Sequence, residues 1–170
     1  MVEPQHAPQT TTSFGVVRLW PRCFRTVWPV ATSPNLEIDE INSMLREQFP
    51  GTGNRCIELG PGYAVAAYDV QPSDIRPGGF VSGPCQFGIV DCALWFLAFV
   101  ALKRIEPMAM TSELSIRFLR PAQGKRVICK ATLEAVSRRS IVGTAHVWVD
   151  GRPDKITAAA QGTYAIPLPR

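Results

Sequence analysis

The chain reads as an α+β fold in which a long curved antiparallel sheet wraps around one central buried helix. Two observations predict this. The stretch Ser82–Arg104, SGPCQFGIVDCALWFLAFVALKR, is apolar nearly all round from Phe87 to Leu102, and a helix apolar on every face is expected to be buried on every face. Six strand-like segments flank it, two before and four after, and a sheet of that size can surround a single helix.

The elements follow in order. Residues 1–34 are rich in Thr and Pro, with Arg18, Arg22 and Arg25 and almost no acid. They form an N-terminal arm, disordered or partly packed through Trp20, Phe24 and Trp28, and without the apolar core of a signal peptide. A single domain is expected over residues 35–167, and residues 168–170 are a tail. From Asn35, a possible cap, Leu36, Ile38, Ile41, Met44, Leu45 and Phe49 make a helical stripe that Pro50–Gly51 ends. Cys56–Leu59 and Tyr63–Val70 read as strands joined at Pro61–Gly62. The loop DIRPGGF leads to the central helix, with Ser82 as cap and Pro84 in the first turn. Lys103 and Arg104 close the helix where cations suit its C-terminus. Ala109–Leu119, Val127–Val136, Ser140–Val149 and Ile156–Ile166 complete the sheet. In the first of these, Leu114, Ile116 and Phe118 share a face. Asp150–Gly151 marks the turn after the third.

Composition bounds the function. At 170 residues and 46% hydrophobic, the chain can bury a real core. A net charge of +4 is too mild to indicate nucleic acid, and none is expected as a partner. Nine basic residues against three acidic ones lie between Lys103 and Arg139. They suit either a polyphosphate cofactor or a solvated strand surface. The five cysteines, Cys23, Cys56, Cys85, Cys92 and Cys129, show neither zinc nor redox spacing. They read as reduced thiols of a cytoplasmic protein. With only His6 and His146, a histidine-rich metal site is excluded by count and no metal is expected.

One charge, Asp91, interrupts the apolar helix. In a membrane span it would be costly, and the run falls short of the roughly 20 residues a bilayer needs, so no span is expected. As a structural residue it needs a buried partner. As a functional residue it is a carboxylate whose apolar setting can tune its pKa. Residue patterning alone leaves the last two open.

At this point the chain resembles the hotdog-fold acyl-CoA thioesterases of the phenylacetate-pathway (PaaI-like) type, over roughly Leu36–Pro167. In that family a loop runs into an H-G-G motif, and nine residues after its histidine an Asp or Glu sits on the central helix. Here Ser82-Gly83-Pro84 occupies the motif and Asp91 the acidic position. The strand end Arg117-Phe118-Leu119-Arg120-Pro121-Ala122 and the closing Gly162-Thr163-Tyr164 are also similar. The family's histidine is replaced by Ser82, its second glycine by Pro84, and an asparagine six residues upstream by Arg76.

The resemblance implies hydrolysis of a short- or medium-chain or aryl acyl-CoA. Asp91 is the general base or nucleophile, the Gly83 N–H holds the oxyanion, and Thr111 helps hold the attacking water. Ser82 belongs to the same motif, with helix capping as its plain alternative. Coenzyme A enters as part of the substrate, and no other cofactor is implied. Arg120, Arg138 and Arg139 are candidates for the CoA phosphates. Arg76 could reach those phosphates, clamp a carboxylated acyl chain, or pair with Asp91 and silence it. The acyl group is expected along the helix near Phe87, Trp95 and Tyr68. Gly83 and Asp91 lie eight positions apart, about 12 Å along a helix, too far for both to touch one thioester. A homodimer that faces Gly83 of one subunit toward Asp91 and Thr111 of the other is therefore expected, as a dimer of dimers at the next level. Two other classes compete: a non-catalytic acyl-CoA binder or sensor, and a dehydratase, which needs a histidine that only the distant His146 could supply.

Overall fold

A computed structural model describes residues 36–167. The proposed arm, the Asn35 cap and the C-terminal tail lie outside the described residues. The chain has the hotdog fold. A six-stranded antiparallel sheet in the order β1-β2-β6-β7-β8-β5 wraps around one long helix, α2. In chain order the elements are α1 (Ile38–Gln48), β1 (Asn54–Gly60), β2 (Tyr63–Asp69), β3 (Ile75–Arg76), β4 (Phe80–Val81), α2 (Gly83–Leu102), β5 (Met110–Phe118), β6 (Arg126–Val136), β7 (Ser140–Val149) and β8 (Ala158–Ala165). The short hairpin β3–β4 has no counterpart in the sequence reading. Its two-residue strands are too short to show a period.

The core forms where α2 meets the sheet. Ile89, Val90, Ala93, Leu94, Phe96, Leu97, Ala98 and Phe99 are buried in it, against Ala64 and Ala66 of β2, Val127 and Cys129 of β6, and Val147 of β7. α1 adds Ile41, Met44 and Leu45. At its start Glu37 is the cap residue and makes no side-chain cap bond, so packing of the apolar stripe carries this helix. At 20 residues α2 is long and apolar enough to cross a membrane, and 61% of its apolar stretch is buried within the fold. Length therefore does not separate span from core helix, contrary to the sequence reading; the enclosing sheet accounts for the apolar faces.

Helix and sheet approach closely at Gly143 and Gly162, paired across β7 and β8. A Cβ at Gly143 would lie 2.6 Å from Leu97, and one at Gly162 would lie 2.7 Å from Leu94. Overpacking at such a point costs about 1–3 kcal/mol. Gly162→Val is expected to lower stability by that amount in urea unfolding, with an unchanged slope.

One expectation fails. α2 is not buried on every face. Pro84, Phe87 and Gly88 are exposed, and Asp91 and Trp95 are partly exposed. These positions recur at helical spacing, so they form one uncovered stripe. β5 runs at the sheet edge, paired only with β8. Met110 and Phe118 at its two ends are 64% and 53% exposed. Phe118 thus lies at the open rim beside the start of α2 rather than within the core, despite its alternating pattern.

Candidate active site

The start of α2 is held by the loop before it. Ser82 caps the helix, its Oγ accepting from the Cys85 N–H at 3.3 Å. The Ser82 N–H donates to the Asp74 carbonyl at 2.8 Å, and the Val81 N–H to the Ala122 carbonyl at 2.9 Å. Asp74 is fixed in turn by the Tyr68 hydroxyl at 2.8 Å and by the Gln71 N–H at 2.8 Å. These bonds bring Arg76 of β3 and Arg120, just past β5, to the same cavity as Gly83. That cavity holds about 490 Å³ and is also lined by Phe80, Gln86 and Phe118.

Asp91 faces elsewhere. Its Oδ1 accepts from the Thr111 hydroxyl at 2.6 Å and from the Tyr164 hydroxyl at 2.7 Å. The Tyr164 oxygen also lies 2.8 Å from the Asp91 carbonyl. Two strands make this possible. Thr111 of β5 pairs directly with Tyr164 of β8, and the register shifts by one residue before Glu113. The bulge takes Ser112 out of the pairing and sends its hydroxyl to the Thr163 carbonyl at 3.1 Å, leaving Thr111 and Tyr164 together on the helix side. Burial chiefly, with a lesser push from the neighbouring Asp91 carboxylate, raises the Tyr164 phenol well above its ordinary value. Tyr164 therefore stays protonated and remains a donor. Among the described residues both hydroxyls converge on Oδ1, and Oδ2 has no partner.

Asp91, Thr111 and Tyr164 open on a second cavity of about 450 Å³, walled by Leu45, Phe49, Trp95 and Met110 among others. Trp95 packs edge-on against Phe49 and Phe99, with ring centres 5.4 and 4.9 Å away. Cys92 also lines this cavity. Burial first, and then the nearby Asp91, push its thiol well up, so it is a poor source of nucleophilic thiolate. The four described cysteines are free; Cys23 lies outside the described residues. No cluster of metal-ligating side chains occurs among the described residues.

Several sequence-predicted residues lie elsewhere. Phe87 is 41% exposed on the open stripe of α2 and does not line the Asp91 cavity. Tyr68 is not there either; it is committed to Asp74. In both cases helical or strand neighbourhood in the sequence does not translate into a shared wall. Arg138 and Arg139 sit exposed in the β6–β7 turn and line neither cavity. The Arg139 carbonyl accepts from the Ile166 N–H at 2.9 Å, at the Met110 end of the sheet. Arg76 and Asp91 line different cavities, so Arg76 does not neutralise Asp91 within one chain. Among the described residues neither Arg76 nor Arg120 joins an ion pair; the three pairs are Arg55–Asp69, Arg104–Glu106 and Arg126–Asp69.

Tyr164 is the site residue that patterning misses. Its part depends on the β5–β8 register, which no local signal specifies.

The geometry defines a class: a hotdog protein with a hydrogen-bonded carboxylate on the central helix and an open N–H at that helix's start. Comparison agrees. Residues 78–155 match the thioesterase superfamily model. The chain is similar in structure to a protein from Silicibacter sp. TM1040 provisionally named a thioesterase, with 29% identity, 78% of this chain and 92% of that one covered, and a TM-score of 0.69. It is also similar to a conserved protein from Pseudomonas aeruginosa, with 27% identity, 71% and 97% covered, and a TM-score of 0.61. A variant of the phenylacetic acid degradation protein PaaI from Thermus thermophilus shares the fold at 24% identity, with 72% and 98% covered and a TM-score of 0.56. No curated protein matches the chain. The superfamily match, with a neighbour provisionally named a thioesterase, supports thioester hydrolysis as the general chemistry.

Proposed function

We propose that this protein is a cytoplasmic acyl-CoA thioesterase of PaaI-like type, acting as a homodimer that can pair further into a dimer of dimers. The observation that carries the reading is the Asp91–Thr111–Tyr164 cluster at the mouth of an apolar cavity. Two donors fix one carboxylate oxygen, and the other is left to take a proton from water. The water oxygen bonds to the thioester carbon, and its proton passes to Asp91. The carbonyl electrons move onto oxygen. Collapse breaks the C–S bond, and the departing thiolate takes the proton back, giving free acid and coenzyme A.

The oxyanion needs a donor, and the family resemblance gives that part to the Gly83 N–H. Gly83 lies eight residues away, about 12 Å along the helix, and opens on the other cavity. A two-fold partner that covers the open stripe of α2 and the edge strand β5 would bring Gly83 of one subunit to Asp91 and Thr111 of the other. Exposed Phe87, Met110, Phe118 and Leu119 give that contact its apolar surface. Each dimer then holds two shared sites. The acyl group occupies the cavity walled by Trp95 and Phe49, which suits short, medium or aryl chains. Arg120 of the subunit that supplies Gly83, with Arg138 and Arg139 of the subunit that supplies Asp91, meets the CoA phosphates, and Ser82 shapes the turn that presents Gly83.

Free thiol release from acetyl-, hexanoyl-, palmitoyl- and phenylacetyl-CoA tests the reading. Turnover is expected with hexanoyl- or phenylacetyl-CoA and weakly, if at all, with palmitoyl-CoA. Saturable binding of all four without thiol release would favour a non-catalytic acyl-CoA sensor instead.

A further inference from the structure

Oxyanion sites commonly use more than one donor, and the start of α2 offers only one from its backbone. Pro84 has no N–H. The Cys85 N–H is taken by Ser82 Oγ at 3.3 Å, and the Gln86 N–H by the Ser82 carbonyl at 3.2 Å. Only the Gly83 N–H is open among the described residues. Side chains on the wall of the same cavity can supply a second. Three side chains there carry N–H groups: Arg76, Gln86 and Arg120. The two arginines are exposed, so water competes for their donors. Gln86 is 4% exposed, a buried amide in a position where an apolar side chain would pack at lower cost.

The amide is also aimed. The Thr157 hydroxyl lies 2.9 Å from Gln86 Oε1 and 3.2 Å from the Val147 carbonyl; donated to Gln86, its proton fixes the oxygen end of the amide. Its Nε2 has no partner among the described residues, although Gln86 lines the cavity. Gln86 is three residues after Gly83, so the two share a helix face. A helical side chain also leans toward the N-terminus, which brings the amide toward the Gly83 N–H.

We propose that Gln86 is a catalytic residue: its Nε2–H₂ is the second oxyanion donor beside the Gly83 N–H, and Thr157 is the positioning residue that holds the amide. The inference rests on the thioesterase reading and deepens it. While water adds to the thioester carbon, the charge that develops on the carbonyl oxygen meets two donors rather than one. Gln86 thereby supplies what the proline after Gly83 cannot.

Steady-state kinetics on the best acyl-CoA test this, with Gln86→Met, Gln86→Glu, Thr157→Val and Arg76→Met beside the wild type and melting curves for each. Loss of one oxyanion donor lowers kcat by about 10²–10³-fold. Gln86→Met is expected to show that fall with KM nearly unchanged, and Gln86→Glu a larger one, because its carboxylate repels the oxyanion. Thr157→Val is expected to lower kcat by about 10-fold with KM unchanged, since the donor is kept but no longer held. If Gln86→Met does not fold, Gln86→Glu and Thr157→Val decide. Wild-type kcat in a folded Gln86 variant overturns the proposal, as does a kcat loss that follows Arg76→Met alone. A wild type that hydrolyses no thioester overturns the thioesterase reading and this one together.

Discussion

Asp91→Asn is expected to lower kcat for thioester hydrolysis by about 10³-fold or more, the scale of a lost general base together with a lost proton carrier. The fold should survive the change. Asn keeps a side-chain oxygen for the Thr111 and Tyr164 hydroxyls, which lie 2.6 and 2.7 Å from Oδ1. Melting temperature is therefore expected to stay within a few degrees of the wild type, and KM to change little. What the amide lacks is a lone pair basic enough to take a proton from water. Thiol release beside a melting curve makes the check. A variant that melts normally and still turns over would remove Asp91 from the chemistry and leave it as a hydrogen-bonded structural residue.

The second large effect concerns the shared site. A Gly83→Pro variant removes the one open N–H at the start of α2 and is expected to be nearly inactive. Asp91→Asn is inactive for a different reason. If each site takes Gly83 from one subunit and Asp91 from the other, a mixed dimer of the two variants has one site with both lesions and one intact site. Random exchange makes half the dimers mixed, so activity should recover to about one quarter of the wild type. The two inactive proteins are co-refolded, and thiol release is compared with each alone. No recovery in a mixture shown to contain mixed dimers would mean that each site is built within one chain. Gly83→Pro also places a ring near Phe118, 3.2 Å from a Cβ built at this glycine. Its own melting curve is therefore needed before the mixture is read.

Much of the fold is legible in the sequence because its signals are local. Ser140–Val149 alternates and is a strand over those same residues. Ser82 and Pro84 start α2, and the apolar run of that helix is a packing requirement that any compact fold must meet. Asp150–Gly151 makes its turn with both residues at positive φ, 50° and 67°. Asp91 stands out for the same reason, as one carboxylate in an apolar run. The family resemblance, rather than patterning, implies Thr111 as a holder of the attacking water, and its bond to Asp91 is visible only in the structure.

Three matters belong to tertiary structure alone. Tyr164 joins Asp91 through strand register and a bulge, and pairing between segments far apart in the chain leaves no local trace. Apart from Asp91, the stripe of α2 from Pro84 to Trp95 carries no charge that would mark it off from the faces beneath the sheet. Which face stays uncovered depends on how far the sheet curls. Gln86 looks like an ordinary polar residue in the first turn of a helix. Only the tertiary structure sets the Thr157 hydroxyl against its oxygen and puts the side chain on the wall of the Gly83 cavity. Composition and periodicity can say which side chains must be buried or capped, because those costs fall on single residues and their neighbours. Which buried groups meet one another is set by long-range pairing, and the carboxylate cluster and the Gly83 cavity are both products of it.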